Sequence, residues 1–213
     1  MKHFTGILVL IIVLSANAKA FDSEEQTLFG NAASQPISFY GALSGSLSGV
    51  GGKAVFINGV RAGVILNHSW AIGAGAYNLA SRNIISEYSD PVVGESPMLD
   101  MNYFGIEIEY INNPESLIHI AVSTLVGSGI IRYNLRSYDE EEYSFYDPEY
   151  GNSWFFVVRP QASAEINLTE WMRAGLAGGY RLTIGALYDY HEKYTDKTLS
   201  NFEMQFYLKF GVF

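Results

Sequence analysis

Apolar side chains recur at every second position along most of this chain. In residues 37–47 the odd positions are apolar or glycine, and the even positions are serine, alanine or tyrosine. A period of two puts the two kinds of side chain on opposite faces of a β-strand, whereas an amphipathic helix has a period of 3.6. The chain must therefore fold mainly as strands with two unlike faces.

Eight segments of the 213-residue chain carry this alternation, and each predicts one strand. They are residues 37–48, 54–66, 70–79, 99–111, 117–132, 154–166, 171–183 and 199–213. The composition agrees, because 21 glycines and 15% aromatic residues disfavour helices and favour strands.

The connections between these segments alternate in length. Residues 67–69, 112–116 and 167–170 are short and rich in turn-forming residues. The long connections are residues 80–97, 133–153 and 184–198, and the first connection, 49–53, is a short glycine-rich exception. Short turns at one end and long loops at the other are typical of a barrel that crosses an outer membrane. The prediction is an all-β fold, an eight-stranded antiparallel up-and-down transmembrane β-barrel.

The side-chain sizes on the two faces predict which one lies inside. An eight-stranded barrel has an interior only wide enough for side chains to fill. The apolar face carries phenylalanine, isoleucine, leucine and valine, and the other face is rich in glycine, alanine and serine. We therefore expect the small, polar face inside and the bulky face against lipid, the reverse of a soluble barrel. Aromatic residues near the strand ends, such as Trp70, Tyr110 and Trp154, match interfacial girdles.

Charged residues on the small-residue face nearly balance. This set comprises Arg61, Arg159, Arg173, Arg181 and Lys209 with Glu107, Glu109, Glu165 and Glu203, and His119 shares their face. A buried charge is tolerated only when it is paired. The interior is therefore predicted to hold a paired, structural charge network that plugs the lumen.

The N-terminus has the pattern of an export signal. Lys2 precedes an apolar run over residues 7–14, and Ala18-Lys19-Ala20 is a small-x-small cleavage site. The run is too short to span a bilayer as a helix. We predict a cleaved signal peptide over residues 1–20, a polar segment over 21–35 and the barrel over 36–213.

Composition excludes several kinds of chemistry. The absence of cysteine removes disulfides, thiolate metal sites and a cysteine nucleophile. A net charge of −9 argues against a nucleic-acid partner. The acidic, tyrosine-rich loop at residues 133–153 lacks the ligand spacing of a calcium loop. We expect no metal and no cofactor.

An export signal, eight alternating strands and the ending Phe210-Gly211-Val212-Phe213 together resemble the small outer-membrane barrels of the OmpA/OmpX type. The resemblance implies an outer-membrane monomer surrounded by membrane lipid and lipopolysaccharide. It also implies that the outer-membrane assembly machinery recognises Phe213. In that family the last aromatic residue is usually in phase with the apolar face, whereas Phe213 is in phase with Lys209 and Tyr207.

Three functions remain open at this point. The first is a structural or surface-interaction role through long acidic extracellular loops, with a ligand that the sequence does not identify. The second is a narrow channel for small solutes. The third is an enzyme acting on membrane lipid, since Asn67-His68-Ser69 superficially resembles the His and Ser of barrel deacylases. His68 and Ser69 are adjacent in a predicted turn, so we expect no catalytic residues.

Overall fold

The computed structural model describes residues 37–81, 83–84, 98–134, 153–186 and 195–213. Its strands are β1 Ile37–Val50, β2 Lys53–Leu66, β3 Trp70–Leu79, β4 Asn83–Ile84, β5 Met98–Asn112, β6 Ile118–Asn134, β7 Ser153–Thr169, β8 Met172–Ile184 and β9 Asn201–Gly211, and the helix α1 is Asp196–Leu199. The predicted signal peptide, the polar segment 21–35 and almost all of the acidic loop 133–153 lie outside the described residues.

The strands close into a ring. Each long strand pairs antiparallel with its neighbours in the order β1, β2, β3, β5, β6, β7, β8, β9, and β9 returns to β1. The two-residue strand β4 pairs only with β5, beyond the end of β3. The described residues thus form a closed barrel of eight long antiparallel strands, and the predicted fold class is confirmed.

The barrel has two unlike ends. Short turns at residues 67–69, 113–117 and 170–171 lie at the end where β1 begins and β9 finishes, which we call the turn end. The longer connections leave from the opposite end, which we call the loop end. The tight turn Gly51-Gly52 also lies there. Both of these glycines have positive φ, 57° and 79°, as a two-residue hairpin turn requires.

The alternation of side chains also agrees with the sequence prediction. On β1, Phe39 is 60% exposed on the outer surface, and its neighbour Tyr40 is 5% exposed inside the barrel. Leucine, isoleucine, valine and phenylalanine continue around the outer wall on every long strand. This wall is the apolar surface that a membrane barrel presents to lipid.

Most predicted strand limits differ from those of the structure by one to three residues, and two of these differences have a local cause. The predicted turn at 167–170 falls largely within β7, which reaches Thr169 through an irregularity in register at Asn167/Thr169. The last strand starts at Asn201 rather than 199, because Leu199 ends α1 and is fully buried. The carboxylate of Asp196 accepts hydrogen bonds from the backbone N–H groups of Gly185 and Ala186, which holds α1 against the end of β8. No helix in the described ranges is long and apolar enough to cross a membrane.

Candidate functional site in the barrel interior

The ten ionisable residues predicted to face the lumen all lie inside the barrel. Each is at most 5% exposed, and they are Arg61, Glu107, Glu109, His119, Arg159, Glu165, Arg173, Arg181, Glu203 and Lys209. They come from six of the eight long strands, β1 and β3 being the exceptions. The strand alternation alone puts them inside, whereas their mutual contacts depend on how the strands are staggered around the ring.

The network nearest the turn end is built around Lys209 and Glu165. Lys209 Nζ donates hydrogen bonds to Glu165 Oε1 and, at 2.8 Å, to Glu109 Oε1. Glu165 also accepts the hydroxyl hydrogen bond of Tyr207 at 2.6 Å, and its Oε2 lies 3.0 Å from His119 Nε2. Two carboxylates, one ammonium group and a histidine are therefore held in one buried cluster.

Arg61 connects this cluster to the middle of the barrel. Its Nη1 lies 2.6 Å from Glu107 Oε1 and 4.0 Å from Glu109 Oε2. Glu107 accepts further hydrogen bonds from the Ser123 hydroxyl at 3.0 Å, the Tyr77 hydroxyl at 3.3 Å and the Gln161 amide at 3.4 Å. Glu107 therefore joins side chains from four different strands.

A second network lies nearer the loop end and centres on Glu203. Arg159 donates to Glu203 Oε1 at 2.9 Å, and Arg181 donates to Oε2 at 3.2 Å. Arg181 also donates to the backbone carbonyls of Leu199 and Gly49, at 3.1 Å and 3.0 Å from its Nη2. One carboxylate thus pairs with two guanidinium groups. Arg181 in turn connects the charged interior to α1 and to the β1–β2 hairpin.

Three interior arginines stack on aromatic rings. The guanidinium carbon of Arg61 lies 4.4 Å from the Tyr207 ring centre, that of Arg159 lies 4.0 Å from Tyr77, and that of Arg173 lies 3.9 Å from Phe213. Two nitrogens of each of these arginines have no hydrogen-bond acceptor among the described residues. The rings cover the faces of cations whose edges are incompletely bonded, a contact that gains strength away from water.

A layer of large apolar side chains lies at the loop end of the interior, where the alternation predicted small, polar residues. The face predicted to be small and polar carries buried Val55, Ile57, Leu79, Leu99, Met101, Leu125, Phe155, Val157 and Leu199 there. A signal was present, because β2, β5 and β7 each carry apolar residues on both faces near their loop-end termini. Apolar filling removes the need to pair charges at this level.

Glycines on the inward face make room for tyrosine rings. A Cβ placed on Gly175 would collide with the ring of Tyr207, and one on Gly59 would collide with the ring of Tyr77. Tyr207 reaches Glu165 of β7 over Gly175 of the intervening strand β8, and Tyr77 reaches Glu107 of the neighbouring strand β5. The small residues therefore supply the space that the tyrosines occupy, not an open passage.

The chain terminus turns into the barrel at the turn end. Phe213 packs against the buried cluster of Tyr40, Ile65 and Ala71 and against the Arg173 guanidinium. This position agrees with its phase in the sequence, which matches Lys209 and Tyr207. A cavity of about 340 Å³ opens beside it, lined by His68, Pro114, Glu115, Asn167, Thr169, Glu170, Arg173 and Phe213.

Neither of the two histidines in the described ranges, His68 and His119, hydrogen-bonds a serine hydroxyl. His68 lies in the β2–β3 turn with a φ of 55°, next to Ser69. His119 has one ring nitrogen 3.2 Å from the Ser116 carbonyl and the other 3.0 Å from Glu165, so both nitrogens are engaged. In the described ranges no group of three or more histidine, aspartate or glutamate side chains is arranged to hold a metal ion.

Comparison with known proteins identifies the fold. No protein-family model and no curated protein matches the chain. Neisserial surface protein A (NspA) superposes with a TM-score of 0.54 at 7% identity, over 83% of this chain and 97% of NspA. The attachment invasion locus protein Ail of Yersinia pestis, in complex with the heparin analogue sucrose octasulfate, gives 0.48 at 10% identity, over 83% of this chain and 97% of Ail.

The outer membrane protein OprG of Pseudomonas aeruginosa gives a TM-score of 0.41 at 8% identity, over 82% of this chain and 95% of OprG. At such identities only the fold is shared, and NspA, with a TM-score above 0.5, is the match that shows it. The chain has the fold of the small eight-stranded outer-membrane barrels, as the resemblance seen in its sequence implied.

Proposed function

We propose that this chain is an outer-membrane protein whose interior is closed and which acts through its outer surface and loops. The observation that carries the proposal is the packing of the lumen. The Lys209–Glu109 ion pair crosses it, Arg159 pairs with Glu203 nearer the loop end, and large apolar side chains fill the loop end. In a barrel filled in this way, the outer surface and the loops are the parts that can contact other molecules.

The outer wall supports the membrane part of the proposal. Apolar side chains on all eight long strands are 37–76% exposed there. Trp70, Tyr110 and Trp171 mark one edge of this surface, and Trp154 lies near the other. Burying these side chains in lipid stabilises the protein, whereas water would leave the whole wall unfavourably solvated. The export signal predicted for residues 1–20 supports the same location.

Labelling in whole bacteria tests the location. An epitope inserted within residues 135–152 is expected to bind antibody on intact cells, because this connection leaves the loop end. The same epitope inserted at residues 67–69 is expected to react only after the outer membrane is opened. Labelling of both sites only after lysis, or of the turn site on intact cells, would contradict the proposed orientation.

A structural or surface-interaction role fits a closed barrel whose loop 133–153 is acidic and rich in tyrosine. The role is tested by exchanging residues 135–152 for a glycine-serine linker of equal length. We expect the exchanged protein to fold, as judged by a boiled-versus-unboiled gel shift, and to lose adhesion to surfaces coated with host-type glycans or matrix proteins. Adhesion that persists unchanged would assign the role to another part of the molecule.

A narrow channel is the second candidate, and one observation favours it. Buried guanidinium nitrogens of Arg61, Arg159 and Arg173 have no acceptor in the described part of the chain, so the interior is not fully satisfied by protein. Lipid-modifying catalysis has less support, because both nitrogens of His119 are engaged in the charge network. We therefore propose no enzymatic activity and no cofactor. The resemblance to the small OmpA/OmpX-type barrels supports a monomeric state.

A further inference from the structure

Three asparagines interrupt the apolar outer wall at one place. Asn58 on β2 pairs in register with Asn78 on β3, and Asn78 pairs with Asn102 on β5. Asn58 and Asn78 are exposed and Asn102 is half-buried, all on the face that carries apolar residues elsewhere. We call Asn58, Asn78 and Asn102 the asparagine ladder.

The depth of the ladder places it near the outer edge of the membrane. A tilted strand advances about 2.5 Å along the barrel axis per residue, so Asn78 lies about 20 Å from the aromatic edge at Trp70. The apolar band of such barrels is about 25 Å tall. The ladder therefore lies within the apolar band, just below its loop-end edge.

Hydrogen bonds within the ladder run in one direction. Asn78 Nδ2 donates to Asn102 Oδ1 at 2.6 Å, and Asn102 Nδ2 donates to Asp100 Oδ2 at 3.2 Å. Asn78 Oδ1 and the whole amide of Asn58 make no hydrogen bond within the described residues. The ladder thus presents free acceptors, and a free donor, toward lipid. Polar groups left unpaired in hydrocarbon are costly.

A groove runs along the ladder. It has a volume of about 590 Å³, and its lining includes Asn58, Asn78, Asn102, Leu43, Phe104 and Trp154. The small residues Gly59, Ala76 and Gly129 are part of its lining. Farther toward the loop end, the exposed Arg132 pairs in register with Asp100. The surface therefore offers an apolar slot, then amides, then the Asp100 carboxylate beside the Arg132 guanidinium.

We propose that the asparagine ladder is a binding site for an outer-leaflet glycolipid of the lipopolysaccharide type, with one acyl chain in the groove. Amide-linked, hydroxylated acyl chains carry N–H and O–H donors just below the headgroup, where Asn58 and Asn78 offer acceptors. Phosphoglycerides have only ester acceptors at that depth. The glycolipid's phosphate would lie near Arg132, where a charge-assisted hydrogen bond is strong. This glycolipid would be a partner of the outer surface, and the inference rests on the proposed outer-membrane location.

The test uses the full barrel refolded in a non-ionic detergent, with Trp70→Phe and Trp171→Phe so that Trp154 is the reporter. We titrate it with purified lipopolysaccharide and, separately, with phosphatidylglycerol, following Trp154 emission. A saturable response to lipopolysaccharide at concentrations at least tenfold below any response to phosphatidylglycerol is expected. Equal responses to both lipids would overturn the proposal.

Two variants assign the response to the ladder. Asn58→Leu/Asn78→Leu/Asn102→Leu is expected to weaken lipopolysaccharide binding at least tenfold and to fold fully, because it makes a lipid-facing wall more apolar. Thr124→Leu, the same kind of change on the outward face of β6, is expected to bind like the parent. Unchanged binding by the ladder variant would overturn the proposal.

Two further outcomes are separable. If the parent is a dimer that the ladder variant converts to a monomer, the asparagines join two copies and the glycolipid site is wrong. If the parent does not enter lipid bilayers at all, the proposed location fails with it. A barrel that inserts and shows no preference for lipopolysaccharide overturns only this inference.

Discussion

Lys209 and Glu109 stand on opposite walls of the barrel, and their side chains meet across it. Lys209 Nζ lies 2.8 Å from Glu109 Oε1. In the ring of strands, β9 and β5 are separated by β1, β2 and β3 on one side and by β6, β7 and β8 on the other. Both side chains are at most 2% exposed. A single buried ion pair therefore bridges the lumen.

Removing the ammonium group should be costly, since it leaves Glu109 and Glu165 without their shared cation. For Lys209→Met we expect the free energy of unfolding to fall by about 3–5 kcal/mol. Urea titration of the refolded barrel in lipid vesicles measures it. Lys197→Met, an exposed lysine in α1, is the control and should change stability by less than about 0.5 kcal/mol. Equal stability of the two variants would contradict a bridging role for Lys209.

Substitution of Glu203 is expected to lower the free energy of unfolding more than substitution of either of its arginine partners. Glu203→Gln leaves Arg159 and Arg181 without a carboxylate, whereas Arg159→Met leaves Glu203 paired with Arg181. We expect a loss of about 3–5 kcal/mol for Glu203→Gln and a smaller loss for Arg159→Met. The same urea titration ranks them, and the reverse order would show that Glu203 is not the centre of the network.

Tyr207 needs the space above Gly175. A methyl group at Gly175 would collide with the ring and push its hydroxyl away from Glu165. We expect Gly175→Ala to lower the free energy of unfolding by about 1–3 kcal/mol. Gly178→Ala is the matched control, because a Cβ there meets nothing within 4 Å. Thermal or urea unfolding measures both variants. Equal free energies of unfolding for the two would argue against tight packing of the Tyr207 ring.

Phe213 gives a prediction that separates assembly from stability. Its ring lies inside the turn end against Arg173, whereas Phe202 is 76% exposed on the outer wall. If the assembly machinery recognises the terminal residue, Phe213→Ala should reduce the amount of folded barrel in cell membranes several-fold. Phe202→Ala should not. Refolding of purified Phe213→Ala in detergent should still give a heat-modifiable band. Normal assembly in cells would remove the recognition role.

The fold was largely predictable because membrane barrels have a simple rule. Each residue faces lipid or lumen according to its position in a two-residue period. The phases of Tyr40, Arg61 and Glu107 within their strands therefore predict that these side chains lie inside the barrel. Turn residues also reveal the short connections. The bulge before Thr169 and the helix ending at Leu199 were not predictable, since they depend on local hydrogen bonds such as those of Asp196.

The partners inside the barrel were not predictable from the sequence. Which glutamate meets Lys209 depends on the stagger of strands on opposite walls, and nothing in the sequence near either residue encodes it. The same holds for the asparagine ladder. Asn58, Asn78 and Asn102 look unrelated until the strand register aligns them. The apolar layer was missed because Val55, Ile57 and Phe155 break the rule of a uniformly polar inner face.

Ion conductance across a planar bilayer tests the closed interior most directly. The refolded barrel without residues 1–20 is inserted into the bilayer, and its folding is verified by the boiled-versus-unboiled gel shift. Arg159→Ala/Glu203→Ala, which removes the side chains that cross the lumen below the apolar layer, shows whether widening alone opens a path. The account predicts no resolvable channels for the parent protein. Stable, reproducible conductance steps from the parent would contradict it and establish the narrow-channel function instead.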